Sequence, residues 1–317
     1  MSAFDSSLFP DFLIIGAGKS GTTSLDNYLK QHPEIFISSR KEPNFFGYEF
    51  SKESDFDTED ERIHFVNSVT KIEDYLNLFA DADDHHVKGE TSNTYLYHDI
   101  APERIKRYIP NVRLMAIFRN PAERLYSRFL HLARDNRMPT ESFNDCFDKT
   151  SVWWKRNDLV KEGFYFKHIS RYFELFERES IKVFFYEDLR DNSKRLLKEM
   201  YEFLDVDSSF EAIVDVEYNR SGLVKNEFYD KLFGQKSMVK DVVKKILPKK
   251  GFENLKQNRW AQKQINDLRS KNLHRPKLDP ELKSRLINEI YFEDILKLQE
   301  LLKVDLSHWG LNNQSVR

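Results

Sequence analysis

Phe12-Leu13-Ile14-Ile15-Gly16-Ala17-Gly18-Lys19-Ser20-Gly21-Thr22-Thr23-Ser24-Leu25 is the stretch on which the fold turns. Phe12–Ile15 is a short, continuous apolar run, the pattern of a parallel strand buried on both faces. A glycine-rich turn follows. Leu25, Tyr28 and Leu29 then recur at helical spacing, which predicts a helix over Thr22–His32 that Pro33 stops. Strand, glycine loop and helix in that order make a phosphate-binding unit. The strict nucleotide-kinase pattern G-x-x-x-x-G-K-[ST] is absent, because its first glycine has no counterpart here. The loop can still cradle an anion: backbone N–H groups point inward, the helix start adds partial positive charge, and Lys19 with the hydroxyls completes the shell. The competing account is an ordinary strand-to-helix turn.

A second such unit lies at residues 111–134. Val112–Phe118 reads as a buried strand with Arg119 at its carboxyl end. Asn120 suits an N-cap, Pro121 the first helical position, and Glu123 the third residue of a capping box. A third strand, Ile181–Tyr186, follows a helix-like segment at His168–Glu179 and leads into a helix around Lys194–Leu204. Strands alternating with helices predict a three-layer α/β fold, a central parallel sheet flanked by helices. A magnesium-dependent phosphoryl-transfer enzyme usually ends a neighbouring strand in Asp to hold its metal. Here a cation stands in that place. Ser127 lies eight residues beyond Arg119, a little over two helical turns on, so the pair can converge on a second phosphate without a metal. The plainer alternative is a solvated strand end and a surface serine.

The whole chain agrees with a folded α/β protein. It has 317 residues, 40% hydrophobic, with 26 Phe and 14 Tyr against 10 Gly and 10 Pro, which excludes wholesale disorder and low complexity. A formal charge of −2 excludes a broad nucleic-acid-binding surface. That total hides an acidic stretch at 49–61, with seven acids and one Lys, and a basic one at 231–260, with nine Lys/Arg against two acids. Both read as insertions on a single domain spanning residues 1–317, with its core at about 11–310. The basic stretch fits a solvated face better than an anionic glycan or a membrane surface. The single cysteine, Cys146, forms no intramolecular disulfide or cysteine-based zinc site, and His85-His86 lack metal-ligand spacing, so no metal is expected. Trp153-Trp154 read as core residues before groove residues. No run approaches the roughly 20 apolar residues of a membrane span, and the N-terminus has no basic region before its apolar run. The expectation is a cytoplasmic protein.

GAGKSGTTSL, RKEPNFF at 40–46 and IFRNPAERLYSRFLH at 117–131 together resemble the sulfotransferases that use 3′-phosphoadenosine 5′-phosphosulfate (PAPS). The similarity is greatest to the branch of heparan-sulfate and bacterial carbohydrate enzymes. Glu162-Gly163-x-Tyr165, VFFYEDL at 183–189, Asn219-x-Ser221 and the closing Asp305–Trp309 extend it over roughly residues 11–310. The resemblance implies the nucleotide-kinase-like, P-loop sulfotransferase fold and PAPS as co-substrate. It implies that Lys19, Ser20, Gly21, Thr22, Thr23 and Ser24 hold the 5′-phosphosulfate, and that Arg119 and Ser127 hold the 3′-phosphate. Glu42, in the K-E-P-x-F-F segment, matches the general base, and Lys19 faces the leaving oxygen. Gly89–Tyr95 is similar to G-E-K-S-P-x-Y, with Thr91 and Asn93 in place of Lys and Pro. It makes Glu90 and Ser92 candidates for contact with the acceptor, a glycan or other small molecule. Lys271–Pro276 is similar in part to a cofactor-closing loop, K-G-R-x-H-P. Two alternatives remain open: an ATP-dependent small-molecule kinase on the same fold, and a non-catalytic protein that binds the nucleotide product.

Overall fold

The computed structural model of the chain describes residues 6–82, 87–135, 137–214 and 276–312, with the short strands Leu223–Val224 and Leu273–His274. His85-His86, Asn219, Ser221, the basic stretch 231–260 and most of Lys271–Pro276 lie outside the described residues.

Five strands form one parallel sheet. They are β1 (Phe12–Gly16), β2 (Ile35–Ile37), β3 (Val87–Thr91), β4 (Arg113–Phe118) and β5 (Ile181–Phe185), in the spatial order β2-β3-β1-β4-β5. The helices that matter for the site are α1 (Thr22–Leu29), α2 (Thr94–Tyr97), α3 (Pro121–Arg134), α4 (Tyr165–Leu175), α5 (Ser193–Leu204), α6 (Pro280–Arg285) and α7 (Phe292–Leu302).

The three layers follow from strand alternation. Successive side chains of β1 and β4 point to opposite faces, and every residue of Phe12–Ile15 and Leu114–Phe118 is buried. Phe12, Ile14, Met115 and Ile117 share one core with Leu25 and Leu29 of α1 and with Leu196, Met200 and Leu204 of α5. Leu13, Ile15, Leu114, Ala116 and Phe118 share the other with Leu125 of α3, Ile169 of α4 and Ile295 of α7. Both faces are therefore covered, as a parallel sheet requires.

Two strands escaped the sequence reading. β2 has only three residues, and Val87-Lys88-Gly89-Glu90-Thr91 has too little apolar character to read as a strand. Gly89 is required by packing: a Cβ there would stand 2.2 Å from Cζ of Phe12. Elsewhere the differences are at element ends. α1 stops at Leu29, short of His32, and α4 starts and ends earlier than the predicted segment. Asn120 caps α3 as expected, accepting from the Ala122 and Glu123 amides, and its own amide donates to the Trp309 carbonyl at 2.8 Å. The expected capping box is not formed, because the Glu123 carboxylate turns to Arg119 and Lys283 instead.

This strand order makes β1 the switch point. The chain leaves β1 toward β2 on one side and later crosses to β4 on the other, and such a point opens a crevice at the carboxyl ends of the strands. Among the described residues, no helix is long and apolar enough to cross a membrane.

Candidate active site

A cleft of about 900 Å³ opens at this switch point. Lys19, Gly21, Thr22, Thr23 and Ser24 reach it from the loop after β1, and Glu42 from the segment after β2. Asn93, Thr94 and Tyr97 reach it from the end of β3 and from α2, Arg119 and Ser127 from the end of β4 and from α3, and Tyr186 from the end of β5. Residues dispersed over the whole sequence thus meet because every parallel strand delivers its following loop to one edge.

The loop after β1 is held by a buried ion pair. The Gly18 amide donates to Oε1 of Glu162 at 2.6 Å, and Nη1 of Arg124 donates to its Oε2 at 2.6 Å. Arg124 has no exposed surface and also donates to the carbonyls of Asp158 and Leu159. Burial pushes the Glu162 carboxyl up to about 7, against the pull of Arg124 and the Gly18 amide. Beyond Gly18, Lys19 and Gly21 both take left-handed backbone angles, φ 66° and 99°. Gly21 precedes the first residue of α1, so the start of the helix, with its partial positive charge, faces the cleft with Thr22–Ser24 around it. The Lys19 ammonium is pulled down to about 7, first by burial and then by Arg128 and Arg134. A dianionic ligand would reverse that shift.

Across the cleft, Arg119 pairs with Glu123 at 3.0 Å and lies 4.5 Å from the centre of the Tyr186 ring. Lys283 of α6 pairs with the other oxygen of Glu123 at 2.7 Å. Two cations therefore share one carboxylate at the place where the sequence expects a phosphate. Farther along α3, Arg128 pairs with Asp158, and Arg134 bonds Asp135 and His131; all of these except Asp135 line the cleft.

Glu42 has a left-handed φ of 55° and a half-buried carboxylate. Its amide donates to the Thr91 carbonyl at 2.9 Å, its Oε1 accepts from Nδ2 of Asn93 at 2.9 Å, and Lys41 lies 3.7 Å from the same oxygen. A loop salt bridge with Arg40 or Lys41 is the competing role for this residue; the pair with Lys41 is present but long.

Three of the expected site residues need correction. Ser20 is fully buried and does not line the cleft; its amide closes the loop onto the Ala17 carbonyl. Glu90 and Ser92 are also fully buried and do not line the cleft. Ser92 donates to Glu90 at 2.8 Å and accepts from the Asn44 amide, while Tyr75 donates to the other Glu90 oxygen. Burial raises the Glu90 carboxyl to about 7. The residues of this segment that do reach the cleft are Asn93 and Thr94.

Several participants had a faint signal or none. Glu162 stood in a quoted motif without a role. Glu123 carried a recognisable i,i+4 spacing from Arg119. Lys283 lies 160 positions from its partner and gave no sign. Pro276, the last residue of the Lys271–Pro276 segment, lines the same cleft with Lys277 and Leu278 just after it.

With this geometry, the pattern described as "Sulfotransferase domain" matches residues 9–310. The chain belongs to the sulfotransferase domain family. Among curated relatives, it is 27% identical to the bifunctional heparan sulfate N-deacetylase/N-sulfotransferase 4 of Mus musculus, over 62% of this chain and 22% of that protein. It is 25% identical to carbohydrate sulfotransferase 15 of Homo sapiens, over 62% of this chain and 44% of that protein. The chain thus matches about a fifth of the length of the first and under half of the second. A solved sulfotransferase from Alicyclobacillus acidocaldarius superposes with a TM-score of 0.68 at 23% identity, covering 95% of this chain and 98% of that one, and shares the fold.

Proposed function

We propose that this sulfotransferase-family protein moves the sulfuryl group of PAPS to a hydroxyl or amine of a carbohydrate or other small acceptor. The observation that carries the reading is one cleft with three components: an amide-lined loop bearing Lys19, a separate cation site at Arg119, and the carboxylate of Glu42. A donor with phosphates at both ends of a nucleoside needs two anion sites, and the donor set here fits both. The family match and the names of the relatives support a carbohydrate acceptor.

Bound PAPS supplies an electrophilic sulfur with a good leaving group; the chain's residues do the rest. The amides at the start of α1, with Thr22, Thr23 and Ser24, hold the 5′ end, while Arg119 and Ser127 hold the 3′-phosphate. Glu42 takes the proton that the acceptor's hydroxyl or amine loses as its bond to sulfur forms, a contribution of about 10²–10⁴-fold in typical enzymes. The bond from sulfur to the phosphate oxygen breaks, and the Lys19 ammonium stabilises the charge left on that oxygen. A kinase reading would need an acid at the end of β4 to hold magnesium, and Arg119 stands there.

Incubation with ³⁵S-labelled PAPS and a panel of glycans, lipids, phenols and amines tests the proposal. Label is expected to pass to at least one acceptor in wild type and to none in Glu42→Gln. No transfer to any acceptor, with Glu42→Gln binding adenosine 3′,5′-bisphosphate as wild type does, would favour a non-catalytic binding protein instead.

A further inference from the structure

The carboxylate of Glu42 sits on a strained, half-exposed loop residue, and a base that must meet an unseen acceptor needs a fixed direction. The structure supplies one. The segment Glu42–Asn44 after β2 is tied to Thr91–Thr94, the end of β3 and the start of α2, by four hydrogen bonds: the Glu42 amide to the Thr91 carbonyl, the Asn44 amide to Oγ of Ser92, Oγ1 of Thr94 to Oδ1 of Asn44, and Nδ2 of Asn93 to Oε1 of Glu42. Three of the four hold backbone or spacer groups. The fourth alone touches the carboxylate.

We propose that Asn93 is a positioning residue, fixing the Glu42 carboxylate through Oε1 so that Oε2 is presented to the acceptor proton. The inference rests on the reading of Glu42 as the base. Among the described residues no hydrogen bond or ion pair reaches Oε2, whereas Oε1 has both Asn93 at 2.9 Å and Lys41 at 3.7 Å. Lys41 cannot fix the group as firmly, because an ammonium at that distance on a flexible stem gives charge without direction. Asn93 is well placed to do so. It directly follows Ser92, whose amide bonds the β1 carbonyl of Ile14 and whose hydroxyl is clamped by buried Glu90. It also directly precedes α2, where Tyr95 and Leu96 are fully buried. Its side chain therefore starts from one of the most firmly packed points of the site. Misplacing a reacting group by about 1 Å can cost on the order of 100-fold in rate, which sets the scale of what this bond protects.

Two variants separate a donor role from a packing role. Asn93→Asp keeps the shape of asparagine but has no N–H to give and sets a second carboxylate against Glu42. Asn93→Ala loses the shape and the donor but adds no repulsion. A packing role predicts that Asp is the milder change; a donor role predicts the reverse. With ³⁵S-labelled PAPS and de-N-sulfated heparin as acceptor, kcat is expected to fall about tenfold in Asn93→Ala and about 100-fold in Asn93→Asp. The Kd for adenosine 3′,5′-bisphosphate is expected to stay within about twofold of wild type in both, because the Asn93 side chain bonds Glu42 and none of the residues assigned to the nucleotide. Equal or better activity of Asn93→Asp relative to Asn93→Ala, beside an inactive Glu42→Gln, would overturn the proposal and leave the base reading intact. Retained turnover by Glu42→Gln would overturn both. A second measurement needs no acceptor, and decides the matter even if this glycan is no substrate. The side-chain amide protons of Asn93, assigned as the NMR pair missing from Asn93→Asp, are expected to move upfield in Glu42→Ala. An unmoved pair would mean that the bond is not formed in solution, and the proposal would fail.

Discussion

At pH 8, above the raised value of about 7 for its carboxyl, replacing Glu162 with glutamine changes one atom of the side chain and removes the charge that faces Arg124. The structure sets the size of the effect. Arg124 has no exposed surface, so its guanidinium has no water to turn to, and Glu162 is 4% exposed. Removing one member of a buried pair costs about 3–5 kcal/mol, since the other charge stays buried without its counterion. An unfolding entropy of ~2.1 cal/mol/K per residue over 317 residues is ~0.7 kcal/mol/K. The expected drop in Tm is then about 4–7 °C, read by calorimetry or thermal shift. The Gln carbonyl can still accept from the Gly18 amide, so the loop is loosened and not lost, and affinity for adenosine 3′,5′-bisphosphate should weaken by about tenfold. Adding Arg124→Met to Glu162→Gln removes the stranded charge and should recover part of the Tm. A Glu162→Gln protein that melts within about 1 °C of wild type and binds the bisphosphate equally well would refute the claim that this pair holds the loop.

Two further outcomes are open to measurement. Lys19 titrates at about 7 in the free protein, and a bound dianion favours its charged form, so nucleotide binding takes up a proton. Affinity should hold steady as pH rises to about 7 and then weaken by up to tenfold per unit to about pH 9; a flat profile in calorimetric titrations, or one unchanged by Lys19→Met, would contradict this. Gly89→Ala should cost upward of about 3 kcal/mol or abolish soluble expression, because its Cβ would meet the Phe12 ring at 2.2 Å. Chemical denaturation of that variant, with near-wild-type stability as the contrary result, checks the packing of β1 against β3.

How much of this was legible from the chain depends on whether the physics was local. β1 and β4 are apolar runs buried on both faces, and β5 is an apolar run broken only by the exposed Lys182; such runs show themselves. β3 carries Lys88, Glu90 and Thr91, and its inward polar groups are satisfied by Tyr75, Ser92 and Asp26, partners distant in the sequence or invisible as partners. Lys19, Thr22–Ser24, Glu42, Arg119 and Ser127 stand in motifs with fixed spacing, and the fold gathers them into one cleft. Glu90 and Ser92 stand in a motif too, but alternation along β3 and the turn after it put them inside. A motif records which residues occur together and not which of them face the cleft. Glu162 acts through contacts of 144 and 38 positions, and Lys283 and Asn93 through contacts of 160 and 51. No pattern within a window of sequence can register those.

The central claim is that two separate anion sites in one cleft hold a nucleoside with phosphates at both its 3′ and 5′ ends. Isothermal titration of wild type and Arg119→Ala with adenosine 3′,5′-bisphosphate and with adenosine 5′-monophosphate, in chelator, tests it most directly. The account expects saturable binding of the bisphosphate by wild type, at least tenfold tighter than the monophosphate, and loss of that preference in Arg119→Ala. Equal affinity for the two nucleotides, or a preference that survives the loss of Arg119, would contradict it.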